Sequence, residues 1–150
     1  MKIKRWVIVF LLALMLPNLA AAAEKEWVLF VKDKLFDHYY DRASMNWLPE
    51  GIIQVIVKVE PRGKEGYDLL MGVRKQKGFL MGGYEDYAYT LKAIEIDCPE
   101  KTRNILDQSD YGKAGNLLDS VRAMRRKWTP IAAESIDDFY HKALCKKKDK

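Results

Sequence analysis

The sequence predicts an α+β fold: one antiparallel sheet of about six strands, a C-terminal helix packed on one face and tied by a disulfide, and a short inserted helix. Three observations lead there. Ile53, Val55, Val57 and Val59 alternate with polar Gln54, Lys58 and Glu60, the two-residue period of a half-buried strand. Ser135 followed by Asp137 and Asp138 makes a helix N-cap with an acidic first turn, and Ile136, Phe139, Tyr140 and Ala143 form an apolar stripe behind it. The only two cysteines, Cys98 and Cys145, follow a strand pattern and end that helix, respectively.

The remaining elements follow in order. Trp27 to Lys32 alternates Trp27, Leu29 and Val31 and is closed by Lys32-Asp33-Lys34, so a first strand is expected there. An aromatic-rich second strand is expected over 39–45, before a loop at 46–51 punctuated by Pro49 and Gly51. Pro61-Arg62-Gly63 ends the strand that starts at Ile52. From Lys64 to Gly83, Leu69, Leu70 and Val73 recur at helical spacing and Gly78 sits where a helix stops; Gly72 predicts an interruption. Tyr87, Tyr89, Leu91 and Ala93 share one parity and Ile94, Ile96 and Cys98 the other, which predicts a long strand with a bulge near Ala93. Segments 102–107 and 116–121 flank Ser109-Asp110-Tyr111-Gly112 and read as a strand pair around a turn. Cys145 lies off the helix stripe, so the last turn is expected to unwind to bring its sulfur to Cys98.

The chain opens with Lys2, Lys4 and Arg5, an apolar run from Trp6 to Leu16 and the small-residue stretch Ala20 to Ala23, the three parts of a secretory signal. That run is about eleven residues, whereas a membrane span takes roughly twenty. Cleavage is expected before Glu24, leaving a domain over 24–145 and a basic tail over 146–150. Removing residues 1–23 takes three of the 26 basic residues and none of the 21 acidic ones, so 23 against 21 leaves a net charge of +2. The basic character of the full chain therefore belongs largely to the leader and tail, and no nucleic-acid footprint is expected. In an exported chain two cysteines are most simply one disulfide, Cys98 to Cys145.

Signals for chemistry are sparse. His38 lies between Asp37 and Asp41, but on a strand the two carboxylates share a face that His38 does not, which is wrong for joint ligation. His141 has no ligand-spaced partner and is expected at the surface. None of Ser44, Ser109, Ser120 or Ser135 stands in a nucleophile turn, and Gly82-Gly83 is too short for a phosphate loop. No catalytic, metal or cofactor residue is assigned. The loop at 46–51 presents Trp47 and Leu48 after Tyr39 and Tyr40, and these four are the expected partner contacts.

Four stretches taken in order carry a resemblance: Trp27-Val28-Leu29 with Tyr39-Tyr40-Asp41-Arg42-Ala43-Ser44; Glu95-Ile96-Asp97-Cys98; Tyr111-Gly112-Lys113-Ala114-Gly115; and Trp128-Thr129-Pro130-Ile131 through Ser135 to Cys145. Together they resemble the surface-adhesin protein E family of exported bacterial proteins. The resemblance implies a sheet of about six strands with a disulfide-held C-terminal helix, adhesion to host extracellular-matrix and serum proteins, and pairing into a dimer. The sequence departs from that pattern in lacking a lipid-attachment cysteine, in Ala132-Ala133 where a proline is usual, and in an added segment over 64–83. The expected function is a non-enzymatic, adhesin-like exported module that recognises a protein partner, in the periplasm or at the cell surface, without a lipid anchor. A periplasmic small-ligand-binding or envelope structural role is the alternative.

Overall fold

The computed structural model describes residues 24–146; the expected leader and residues 147–150 of the tail lie outside it. Along the chain the elements are β1 (Trp27–Lys32), β2 (Phe36–Asp41), β3 (Asn46–Trp47), β4 (Ile52–Pro61), α1 (Gly63–Gln76), β5 (Tyr87–Asp97), β6 (Thr102–Gly112), β7 (Leu117–Arg122), β8 (Thr129–Pro130) and α2 (Ile136–Leu144). All strand pairs are antiparallel, and the sheet order is β1-β2-β4-β5-β6-β7. The short β3 adds to β4 beyond the end of β2, and β8 adds to β6 beyond β7. The predicted α+β architecture is therefore the one observed.

Four local expectations are corrected. The second strand ends at Asp41, whose carboxylate accepts from the Ala43 N–H and caps a single 3-10 turn over Arg42–Ser44. Ser109 to Gly112 is strand rather than turn, because β6 runs through it against β5 and β7, and the chain reverses over 113–116. The inserted helix is continuous over fourteen residues, since Gly72 sits in open space, where its missing side chain leaves the helical hydrogen bonds intact. It stops at Gly78, which adopts φ 77° and lets Lys77 N–H close onto Val73 and Arg74. The last turn of α2 does not unwind: Cys145 N–H still donates to the His141 carbonyl at 2.9 Å. Its sulfur reaches Cys98 with the turn intact, across a Cα–Cα distance of 5.6 Å.

Both helices lie on one face. Residues Ile53, Val55 and Val57 of β4 and Ile94 and Ile96 of β5 meet Tyr140 and Leu144 of α2 there, forming the buried core. Toward the other end of the same face α1 is anchored by Arg74, which bonds to Thr90 and Asp110. The first turn of α1 crosses the β1–β2 connection so closely that a Cβ on Gly66 would stand 2.2 Å from the Leu35 carbonyl oxygen; only glycine fits. The irregularity near Ala93 is present, but the extra residue is Leu106 in β6, since Ala93 faces Asp107 and Ile94 faces Ile105. Strand β5 therefore keeps one phase from Thr90 to Ile96. Tyr89, Leu91 and Ala93 belong to the helix-free face.

Candidate functional site

The helix-free face carries a row of aromatic side chains centred on one lysine. Register places Tyr39 of β2 opposite Lys58 of β4, and Tyr89 of β5 opposite Tyr111 of β6. The Lys58 ammonium lies 4.5 Å from the Tyr39 ring centre, 5.0 Å from that of Trp27 and 5.9 Å from that of Tyr89. Tyr89 and Tyr111 stack at 5.2 Å. Lys58 is held in place by Glu60 at 2.7 Å. Each ring is half-buried, so the row is ordered by its neighbours while still presenting ring surface outward. Burial, with the Glu60 and Asp37 carboxylates nearby, pushes the Tyr39 hydroxyl above its usual pKa, so it remains a neutral hydrogen-bonding group. What this surface offers is apolar area, hydroxyl groups and a cation, on a rigid sheet. Exposed tyrosine and tryptophan of this kind are enriched at protein contacts.

The four expected contact residues divide between the two faces. Tyr39 belongs to the row just described. Tyr40 points to the helix side, edge-on to Phe30 with ring centres 5.5 Å apart. Trp47 is 43% exposed and shares a shallow groove with Tyr40, Met45 and the C-terminal end of α2. Leu48 is half-buried beside it. The strand period explains the separation, because neighbours such as Tyr39 and Tyr40 must face opposite ways.

A third feature lies between the helices. Leu70 of α1 and Ile136, Asp137 and Tyr140 of α2 wall a cleft of about 290 Å³ whose floor includes His38, Val59, Lys92, Ile94 and Arg103. His38 is buried, despite its charged neighbours in sequence. Its Nδ1 lies 2.7 Å from the Tyr140 hydroxyl and its Nε2 3.4 Å from Asp33 Oδ2. Burial lowers the His38 pKa more than Asp33 raises it, so the ring is neutral at pH 7. Tyr140 then donates to Nδ1, and Nε2–H faces Asp33. Both ring nitrogens are thereby used, leaving neither to activate a nucleophile. Among the described residues no group of three His, Cys, Asp or Glu side chains is placed to hold a metal. His141, expected at the surface, is half-buried and bonds through Nε2 to the Cys98 carbonyl at 2.9 Å, bracing the disulfide.

Two signals for these surfaces were present in the sequence but masked. Lys92 shares its parity with Ile94 and Ile96, so once their face is known to be the core, a lysine must point at it. Tyr89 and Leu91 were readable as core only while the extra residue was assigned to β5 instead of β6.

Compared with known proteins, residues 27–146 match the family model described as surface-adhesin protein E. The chain matches none of the curated proteins and none of the solved structures with which it was compared. No helix among the described residues is long and apolar enough to cross a membrane. With a match that begins at β1 and ends just beyond the disulfide that closes α2, the chain belongs to the surface-adhesin protein E family.

Proposed function

We propose that this protein is an exported, non-enzymatic adhesin domain that holds a host surface protein on the helix-free face of its sheet. Export rests on the leader pattern over residues 1–23 and on a family of surface adhesins. The observation that carries the binding face is the ordered row of Trp27, Tyr39, Tyr89 and Tyr111 around Lys58. Aromatic anchors on rigid elements bind with little loss of side-chain freedom, and truncating one costs 2 kcal/mol or more where it is a hot spot. The groove at Trp47 and Leu48 is the competing contact.

The test measures capture of the exported protein by a panel of immobilised extracellular-matrix and serum proteins. Tyr39→Thr/Tyr89→Thr should weaken capture at least tenfold while the melting temperature stays within a few degrees. Trp47→Ser/Leu48→Ser should leave capture unchanged. Loss in the second variant alone would move the contact to the groove, and a protein that captures nothing on the panel would sink the adhesive reading.

A further inference from the structure

The cleft between the helices contains a cation that makes no ion pair among the described residues. Among the described residues Arg103 pairs with Asp137 at 2.8 Å, and Arg74, deeper under α1, pairs with Asp110 at 2.8 Å. Asp33, at the rim, accepts the Leu35 and Phe36 N–H groups at 2.7 Å each and faces His38. Among the described residues Lys92 has no carboxylate within 4.0 Å, although it lies on the cleft floor beside Val59 and Ile94. Burial, together with Arg103 and Arg74, holds its pKa below the ordinary 10.5, and Asp137 and Asp110 offset this only in part. A half-buried ammonium without a counter-ion costs solvation that no internal contact returns. A bound anion would return it.

We infer that this cleft binds a small organic carboxylate, its anionic end on Lys92 and its apolar body against Val59, Leu70, Ile94 and Ile136. The charge pattern selects a monoanion: Asp33 and Asp137 stand in the same cleft and repel a dianion such as a phosphate monoester. The apolar walls select against a bare inorganic ion. A volume of about 290 Å³ sits at the lower end of small-ligand sites, which suits a medium-chain or aromatic acid rather than a whole membrane lipid. The cleft walls come from two separate elements, α1 and α2, tied to the sheet at different ends by Arg74 and by the disulfide. The site is independent of the adhesive face, since Lys92 and Lys58 project from opposite sides of the sheet.

Titration calorimetry of the exported protein with octanoate tests this, with octanol as the body without the charge and acetate as the charge without the body. Octanoate should bind saturably, and octanol and acetate each at least tenfold more weakly. Lys92→Met, which keeps an unbranched chain one atom shorter and removes the charge, should weaken octanoate at least tenfold without lowering the melting temperature. Leu70→Trp, which fills the cleft from α1 and leaves Lys92 in place, should weaken it as well. In the unmodified protein, octanoate should raise the Lys92 pKa measured by NMR. Absence of saturable octanoate binding, equal binding of octanol, equal binding by Lys92→Met, or a Lys92 pKa unmoved by octanoate would each overturn the assignment; the last needs no variant to fold.

Discussion

Replacing Arg74 by methionine isolates the interaction that docks α1. Asp110 is 1% exposed and accepts from Arg74 Nη2 at 2.8 Å, Thr90 Oγ1 at 2.6 Å and Tyr84 OH at 2.8 Å. Gln108, with its amide oxygen turned to the guanidinium, accepts from Nη1 and Nη2 at 3.0 and 2.9 Å. In Arg74→Met the carboxylate keeps two hydroxyl donors and loses the guanidinium paired with it, and breaking a buried pair in this way costs about 3–5 kcal/mol. For a domain of about 120 residues that corresponds to a fall of roughly 10–20 °C in melting temperature. Arg74→Met/Asp110→Asn removes both charges; the amide oxygen takes the place of one carboxylate oxygen and still accepts from Thr90 or Tyr84, while its NH2 donates to the hydroxyl oxygen of the other. It should therefore be more stable than Arg74→Met alone, with a net loss of about 2 kcal/mol or less. Urea denaturation of the unmodified protein, Arg74→Met, Asp110→Asn and the double variant measures this. An Arg74→Met loss under about 1 kcal/mol, or a double variant equal to the sum of its singles, would refute the reasoning. Because α1 supplies Leu70 to the cleft, Arg74→Met should also weaken octanoate there, at a distance from the ligand.

Two further outcomes are expected. Cys98→Ala/Cys145→Ala opens a link between residues 47 apart, and the chain-entropy model assigns that closure about 4 kcal/mol; urea unfolding should show most of it, and a loss under about 1 kcal/mol would contradict the entropic account. His38 is held neutral below the ordinary 6.5, so as pH falls through 6.5 the unfolded chain takes up a proton that the folded chain refuses. Stability should then fall with pH, by up to about 1.4 kcal/mol per unit for this one proton, until the folded ring itself protonates. His38→Gln should be the flatter of the two in denaturation series from pH 7 to 5; identical slopes would show that His38 contributes nothing.

Alternation and capping were legible before any coordinates. The buried parity of β4, the Ser135 cap of α2 and the Cys98–Cys145 link depend on residue type at short spacing or on an even cysteine count, which the sequence displays directly. Strand β2 was displaced by a few residues because the Asp41 cap, which ends it, looks like any other aspartate until its carboxylate meets the Ala43 N–H. The turn placed at Ser109 to Gly112 failed for a tertiary reason: Asp110 is a turn-former by type, yet its position is decided by Arg74 and Tyr84, which reach it from α1 and the segment that follows. The two surfaces argued above are of the same kind. Lys58 among its rings and Lys92 in its cleft come from β4 and β5, both as lysines in apolar strands. Only the register of the sheet and the placement of both helices on one face decide that one ammonium meets aromatic rings near solvent and the other an apolar cleft.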